Sequence, residues 1–388
     1  MIVIAVVIIL IALSLAEVFV YRKKGFDKIE YKLSLSSEEV NEGDEIEIIE
    51  EISNSKLLPV PWLKTEIVTS RWLDFAGANA RITNDSRYVP SFFVLGGYEK
   101  IIRRWHVKCT RRGVYRLDKI NLITSDLFGI VTQSKLAAVN EEVIVLPTPI
   151  RLDDYIISPK MLGGEMVVRR HIIEDVFEPI GIREYVNGDA MGKIHWKATA
   201  SHGELMTIRN EYNVENSITI MLNTQAGEFG ITSAQGIESL ELGIKCAVSI
   251  LEKAEEIAMP FSLLANTNID GESDEIALPL STGKEHYINI MRTLAMIEPY
   301  STNRFSTFLK GKYHTINTSE IAIITAYVDE DIIDFVRFKG RSGIKVTIFL
   351  TAITSDEFPP DVPIVNVTGR MATSIDESNF NERGDDVG

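Results

Sequence analysis

The side chains best suited to chemistry are concentrated in residues 175–211, around the two glycines Gly188 and Gly192. The candidate residues of this stretch are Arg183, Glu184, Tyr185, Gly188, Asp189, His195, Trp196 and Lys197. Asp189, His195 and Lys197 could form an acid/base set, because histidine titrates near neutral pH and exchanges protons with neighbouring groups. No nucleophile-elbow pattern and no metal-ligand spacing accompanies these residues, so the sequence identifies no catalytic residue and no cofactor.

A structural or partner-docking role is the interpretation that the sequence favours for the same stretch. Charged residues interrupt every apolar period, so specific polar contacts rather than an amphipathic face must order the segment. In this account Gly188 and Asp189 form a turn whose carboxylate binds backbone N–H groups. Trp196 then fills a junction between domains, and Arg183 pairs with Glu184 or Asp189.

Length and composition limit the possible classes of protein. A chain of 388 residues is long enough for about two to three domains. The net charge of -15 argues against nucleic-acid binding, which needs a basic face. The two cysteines, Cys109 and Cys246, belong to no C-x-x-C pair, which disfavours both a disulfide scaffold and a structural zinc site.

The N-terminal segment resembles a membrane anchor. Residues 1–16 carry no charge, and after Glu17 four more apolar residues precede the basic triplet Arg22, Lys23 and Lys24. A helix needs about 20 apolar residues to cross a bilayer, which predicts a single span over residues 1–21. The basic triplet predicts that the following domains are cytoplasmic. A cleaved signal peptide would place them outside the cytoplasm, but it would carry its basic residues before the apolar run.

Two folded domains are predicted after the anchor. Alternating segments separated by turn residues predict an all-β, immunoglobulin-like sandwich over residues 27–150, with a hairpin at Arg111-Arg112-Gly113 and a returning strand over 114–123. The two arginines there indicate a solvated hairpin corner, with an anion site as the alternative. A connector is expected over 151–216. Strands alternating with amphipathic helices predict a mostly parallel α/β domain over 217–375, followed by a disordered acidic tail over 376–388.

The order of four motifs resembles that of the domain-of-unknown-function-58 (DUF58) family of membrane-anchored proteins. The motifs are RRGVYRL at 111–117, TSDLFGI at 124–130, VIVLP at 143–147 and GIREYVNGDAMGKIHWKATA at 181–200. The resemblance implies an N-terminal membrane region, a β-sandwich, the central motif and a von Willebrand A-like α/β domain. It also implies a partnership with MoxR-type AAA+ ATPases, beside which such proteins are usually encoded. The family has no established activity.

This chain departs from the family pattern at three points. The family often has a pair of membrane helices, whereas one is predicted here. The acidic pair after the motif's glycine is reduced to Asp189 followed by Ala190, and Gly192 replaces the usual basic residue.

The von Willebrand A-like resemblance locates one further candidate site. Metal-binding domains of this type carry D-x-S-x-S after the first strand, where the equivalent positions here are Asn223, Gln225 and Gly227. Neutral amides and a glycine lack the anionic charge that a hard cation requires, so a degenerate, metal-free site is expected. The sequence therefore predicts a membrane-anchored, non-enzymatic adaptor for a MoxR-type ATPase. A hydrolase that uses Asp189, His195 and Lys197 is one alternative, and an extracytoplasmic binding protein is the other.

Overall fold

The chain folds into two compact units. The computed structural model describes residues 2–126, 128–152, 181–185, 194–209, 216–225, 234–269, 274–299, 301, 303–353 and 358–368. One unit comprises residues 1–148 with 291–297, and the other comprises 149–290 with 298–388. Gly188, Asp189, Gly192, Gly227 and the predicted tail lie outside the described residues, as does most of the predicted connector.

The predicted anchor segment forms helix α1 (Ile2–Lys24), which ends in three basic residues. Large apolar side chains along it are exposed, including Ile4, Ile8, Leu15 and Phe19. In the described part of the chain we find no helix with both the length and the apolar character needed to cross a membrane. Membrane attachment of α1 therefore remains a prediction from the sequence.

The rest of the first unit is built from strands that form a β-sandwich, as the alternating sequence predicts. These are β1 (Ile29–Leu35), β2 (Glu39–Asn41), β3 (Glu45–Asn54), β4 (Val60–Ser70), β5 (Leu73–Phe75), β6 (Arg81–Thr83), β7 (Ser86–Leu95), β8 (Lys100–Cys109), β9 (Gly113–Leu117), β10 (Lys119–Ser125), β11 (Thr132–Leu136) and β12 (Glu141–Leu146). They form sheets with the orders β1-β3-β8-β5, β11-β10-β4-β7-β6 and β2-β12-β9. Alternate residues of β3 and β4 are buried, so that Ile48 and Ile67 share one core with Val107 and Val143.

The predicted hairpin at Arg111-Arg112-Gly113 is wrong. Strand β8 pairs with β3 and β5, whereas β9 pairs with β12, so the turn carries the chain from one sheet to another. Gly113 has a φ angle of 147°, which a residue with a side chain rarely adopts. The predicted returning strand is also wrong, because the chain breaks at Asp118 into β9 and β10, which lie in different sheets.

Arg112 does not lie on a solvated corner, as the sequence suggested. It is 5% exposed, and its Nη1 atom donates to the carbonyl oxygens of Leu294, Ala295 and Ile297 at 2.8, 3.2 and 2.9 Å. These acceptors belong to residues 291–297 of the same unit. A guanidinium group has several donors in a fixed fork, so it can bind converging carbonyls.

A buried carboxylate links the two larger sheets of the sandwich. Glu50 on β3 is 0% exposed and accepts four hydrogen bonds. Tyr31 and Trp105 donate from its own sheet at 2.9 and 2.8 Å, while Thr65 and Ser91 donate from the facing sheet at 2.9 and 3.0 Å. Burial, reinforced by the Glu50 carboxylate, raises the pKa of Tyr31 far above its ordinary value, so this hydroxyl remains a donor.

The second unit contains a mostly parallel sheet, as predicted. Its strands are β13 (Gly181–Glu184), β14 (Met206–Arg209), β15 (Ile218–Leu222), β16 (Phe261–Ala265), β17 (Ile276–Ser281), β18 (Glu320–Thr325), β19 (Lys345–Leu350) and β20 (Ile364–Asn366). Its helices are α2 (Trp196–His202), α3 (Ala234–Glu256), α4 (Lys284–Met296, whose end is grouped with the first unit), α5 (Phe305–Lys312) and α6 (Glu330–Arg341).

Six of these strands form one sheet in the order β17-β16-β15-β18-β19-β20. All neighbours in it are parallel except β17, which pairs antiparallel with β16 at the edge. Every residue of β15 and β18 is buried, which is typical of central strands covered on both faces. Helix α6 begins at Asp329, whose side chain accepts the Ile332 N–H at 2.9 Å.

We predict that Glu50→Gln destabilises the sandwich. In the variant, an amide N–H group would face hydroxyl and indole groups that now donate to an anion. Loss of such contacts lowers the free energy of unfolding by about 2–4 kcal/mol. The midpoint of thermal unfolding, followed by near-ultraviolet circular dichroism, should therefore fall by about 5–10 °C for a domain of this size. Glu47→Gln is the matched control, since Glu47 is a partly exposed glutamate on the same strand. Equal melting of the two variants would contradict a structural role for the Glu50 contacts.

Candidate functional site

The central motif forms a small folded module. Strand β13 pairs antiparallel with β14, from Gly181 opposite Arg209 to Glu184 opposite Met206, and helix α2 lies between them in sequence. The His195 N–H donates to the Met206 carbonyl at 2.8 Å, and the Met206 N–H donates to the Thr199 hydroxyl at 3.0 Å. Polar contacts thus order this segment, as the irregular sequence predicts. We call β13, α2 and β14 the central module.

The central module and the adjoining Ile194 bury aliphatic side chains, whereas the tryptophan of the module is exposed. Ile194, Ala198 and Met206 are 6%, 5% and 9% exposed, whereas Trp196 is 68% exposed. The expectation that Trp196 fills a junction between domains is therefore wrong. An exposed tryptophan in the first turn of a short helix presents a large, rigid contact surface. Glu184 and Lys197 are exposed as well, and Tyr185 is half-buried.

His195 has a definite local role at the start of α2. Its Nδ1 atom accepts the backbone N–H of Ala198 at 3.0 Å, so the imidazole caps the helix in the way that serine or aspartate commonly does. This contact requires an unprotonated Nδ1, which leaves Nε2 to carry the proton of the neutral ring. While the cap is intact, Nδ1 is occupied and Nε2 already carries the proton, so the neutral ring has no free lone pair with which to accept a proton from a substrate.

The described residues do not test the proposed acid/base set, because Asp189 lies outside them. His195 precedes α2 as its N-cap, and Lys197 is the second residue of that helix. The predicted turn at Gly188 and Asp189 lies outside the described residues, as do the side chain of Arg183 and its expected ion pairs. A role for Arg183, Gly188 and Asp189 in the site remains a prediction.

Two of the three positions predicted to be equivalent to a metal site, Asn223 and Gln225, lie just after β15, and their side chains bind the protein itself. Asn223 is buried, donates through Nδ2 to the Thr325 hydroxyl at 3.0 Å and accepts the Gln225 N–H at 2.9 Å. Gln225 accepts the Phe305 N–H at 3.1 Å, at the start of α5. Among the described residues, no group of three or more histidine, cysteine or acidic side chains is arranged to hold a metal ion.

Sequence reasoning did not identify Asn266, which extends this amide network. It follows the buried strand β16, and its Oδ1 atom accepts the Thr224 N–H at 2.8 Å. Its Nδ2 atom donates to the Asn303 carbonyl at 2.9 Å. A polar residue directly after an apolar strand was the available signal, because such positions lie at the edge where open α/β sheets bind ligands. The amides at this edge instead connect the loops around it.

A small cleft opens beside these amides, between the ends of the strands and helix α3. Its residues include Asn223, Gln225, Gly236, Ser239 and Thr351, and its cavity measures about 10 Å³. Sites for drug-sized ligands usually measure about 300–1,000 Å³. The cleft is therefore too small for such a ligand without movement of its walls.

The second unit is thus an α/β domain preceded by a small α+β module with an exposed tryptophan. Residues 181–348, from the start of the central module into β19, match the family model described as "Protein of unknown function DUF58". This match supports the DUF58 resemblance of the central motif and extends it through most of the six-stranded sheet. No curated protein matches the chain.

Solved structures resemble a smaller part of the chain. A non-cellulosomal cohesin from Archaeoglobus fulgidus is 14% identical, covers 30% of this chain and 91% of its own, and has a TM-score of 0.23. A CARDB domain from Pyrococcus furiosus, solved with di-metal ions, is 19% identical over 30% of this chain and 90% of its own, with a TM-score of 0.21. A cohesin module from a Clostridium perfringens family 33 glycoside hydrolase is 10% identical over 31% and 97%, with a TM-score of 0.23. Scores this low support no functional inference.

We predict that His195→Ser keeps the structural role of His195 and that His195→Ala loses it. Serine accepts the same N–H at a helix start, whereas alanine at this position costs about 1 kcal/mol. Resistance of the central module to limited proteolysis should therefore be near wild type for His195→Ser and reduced for His195→Ala. If both variants lose cellular function although His195→Ser remains fully folded, the imidazole itself is required and the acid/base interpretation gains support.

Proposed function

We propose that the protein is a membrane-anchored, non-enzymatic adaptor that presents its second unit to a MoxR-type AAA+ ATPase. In this proposal the α/β domain is a metal-free relative of von Willebrand A domains, and the immunoglobulin-like sandwich connects it to the anchor. The observation that carries the proposal is Trp196, which is 68% exposed on an ordered module inside the DUF58 match. Tryptophan is the residue type most enriched among the energetic centres of protein interfaces.

The polar groups of the second unit also favour an adaptor over a hydrolase. The amides of Asn223, Gln225 and Asn266 bind other loops of the protein, and His195 uses Nδ1 to cap its helix. A hydrolase would require Asp189 and Lys197 to converge on the remaining nitrogen of His195. A MoxR-type partner is implied by the family resemblance, and Trp196 with the neighbouring Lys197 is the contact surface that we assign to it.

The proposed location is a membrane, with both units in the cytoplasm. Support comes from the uncharged residues 1–16, from the basic triplet at the end of α1 and from the length of that helix. At 1.5 Å per residue, 23 helical residues extend about 34 Å, which is close to the thickness of the hydrocarbon core.

We predict that Trp196→Ala abolishes retention of the ATPase while leaving the fold intact. Loss of a tryptophan at the centre of an interface typically costs at least about 2 kcal/mol, which corresponds to about a thirtyfold loss of affinity. The measurement is affinity purification of tagged full-length protein from its native membrane in mild detergent, with quantitative mass spectrometry of the retained ATPase. Ile353→Ala is the matched control, because Ile353 is an exposed apolar residue of the same unit.

The results of this purification separate the adaptor from its alternatives. Absence of any AAA+ ATPase from the wild-type purification would remove the proposed partner. Equal retention by Trp196→Ala and Ile353→Ala would keep the partner but exclude this surface. A wild-type preparation without a partner, together with hydrolysis that depends on Asp189 and His195, would establish the hydrolase alternative.

We predict that the full chain remains with membranes after alkaline carbonate washing and that deletion of residues 1–24 releases it. Carbonate removes peripheral proteins but not helices held in the hydrocarbon core, so the comparison isolates the anchor. Trypsin added to intact cells should leave the domains uncut if they are cytoplasmic, and trypsin added to inverted vesicles should digest them. Digestion in intact cells would support the extracytoplasmic alternative.

A further inference from the structure

Helix α1 leaves the sandwich at one end, and three connections between strands surround this exit. They are residues 55–59 between β3 and β4, 96–99 between β7 and β8, and the loop after β10 that begins at Asp126. The strand register places them together, because Asn54 lies opposite Ile29 at the start of β1. In the facing sheet, Ser125 lies opposite Trp62, near the start of β4.

Hydrogen bonds fix the end of α1 against one of these connections, residues 55–59, and against strand β11. The Tyr21 hydroxyl donates to the Pro59 carbonyl at 3.0 Å, and Gln133 Nε2 donates to the Arg22 carbonyl at 2.7 Å. The ammonium of Lys56 donates to the carbonyl of Gly25 at 2.7 Å and also to that of Lys24. A cation at the carbonyl end of a helix is favourable, and it satisfies acceptors that have no partner within the helix.

Burying a lysine ammonium group costs free energy, so the use of Lys56 for this attachment indicates that the position of the helix matters. The residue is 8% exposed, and burial lowers the pKa of its ammonium group, partly offset by the charge of Asp27. The neighbouring Leu57 nevertheless points outward and is 77% exposed. Residues 55–59 therefore bind the end of the helix through Lys56 and expose the apolar side chain of Leu57.

The tips of all three connections expose large apolar side chains. Leu57, Tyr98, Phe128 and Ile130 are 77%, 72%, 61% and 64% exposed, and we call these four residues the apolar collar. Two of the connections, residues 55–59 and 96–99, are packed together, because the Tyr98 N–H donates to the Lys56 carbonyl at 3.1 Å. A Cβ atom on Gly97 would lie 2.5 Å from the Leu57 carbonyl oxygen, so only glycine permits this close approach.

Two turns at the opposite end of the sandwich are polar. Strands β3 and β7 begin there, after Glu42-Gly43-Asp44 and Asn84-Asp85 respectively. The ten residues of β3 separate the two ends by about 30 Å. Exposed apolar tips thus occur at the end from which α1 departs, while acidic turns face the other way.

We propose that the apolar collar lies in the interfacial layer of the lipid membrane that α1 enters, so that the sandwich is seated on the bilayer surface. This inference rests on the proposed membrane attachment. A lipid surface fits because the exposed apolar residues of α1 lead directly to the collar and the basic triplet Arg22-Lys23-Lys24 lies between them. Aromatic side chains are enriched at bilayer interfaces, and basic residues beside a membrane helix attract anionic headgroups. The net charge of -15 disfavours contact of most other surfaces with such lipids.

The test uses the full chain reconstituted into vesicles of phosphatidylcholine and phosphatidylglycerol. Leu57→Cys and Phe128→Cys are each labelled with an environment-sensitive NBD fluorophore, and Ile82→Cys is the matched control. Ile82 is also an exposed apolar residue of the sandwich, on β6 near the opposite end. Burial raises the pKa of the native Cys109 thiol to about 11, and Cys246 is buried too, so neither should react with the label at neutral pH.

We expect a blue shift and a loss of fluorescence at positions 57 and 128 when the vesicles contain phospholipid with a nitroxide on its acyl chain. Aqueous iodide should have little effect there, whereas the label at position 82 should be quenched by iodide and not by lipid. Flotation of the vesicles first establishes whether the protein is attached at all. If the protein does not float with the vesicles, both the proposed anchor and the collar proposal are overturned.

Two other outcomes overturn the collar proposal while leaving the anchor in place. Quenching by iodide at positions 57 and 128 in floated vesicles would show that these tips remain in water. Protection from both iodide and the lipid nitroxide would show that protein, such as a second copy of the chain, covers them.

Discussion

The buried carboxylate of Glu50 is the constraint on which the sandwich depends. It receives hydrogen bonds from both large sheets. The two sheets must therefore pack face to face in an arrangement that places four donors around one anion. Its neighbours at inward positions of β3 lie in different apolar clusters, with Ile48 in the larger and Ile52 in the smaller. An anion between two apolar clusters is tolerated only when its hydrogen bonds are complete. These hydrogen bonds thus select one strand register and one packing arrangement of the two sheets, whereas apolar packing alone would allow several arrangements.

The second unit uses neutral amides where many α/β domains place ligand-binding groups. Asn223, Gln225 and Asn266 lie at the carboxyl end of the sheet, and each binds a neighbouring loop or the start of α5. Amides that complete hydrogen bonds within the protein stabilise the loops, but they offer a cation no negative charge. The conspicuous exposed group of the region is instead Trp196, on a helix capped by His195. This contrast between engaged polar groups and an exposed aromatic ring is the physical basis for proposing an adaptor.

The two proposed contact surfaces differ in how they are held. Two of the collar's turns, residues 55–59 and 96–99, are hydrogen-bonded to each other, and the first is bonded to the end of α1 through Lys56 and Pro59. Trp196 is carried by a helix of seven residues whose order depends on polar contacts to β14. Rigid support reduces the conformational entropy that each surface loses on binding. Membrane seating at one surface and partner binding at the other are the two roles that we propose for these features.

The sequence by itself determined the local elements of this protein. Alternating segments predicted the strands of the sandwich, and strands alternating with amphipathic helices predicted the mostly parallel sheet of the second unit. The tertiary structure alone decided that β8 and β9 lie in different sheets, that Arg112 is buried and that His195 is a cap. The short helix α5 was also not predicted. Periodicity records which face of an element is apolar, and that depends on neighbouring residues. Pairing partners and hydrogen-bond acceptors come from segments far apart in the chain, so no local pattern encodes them.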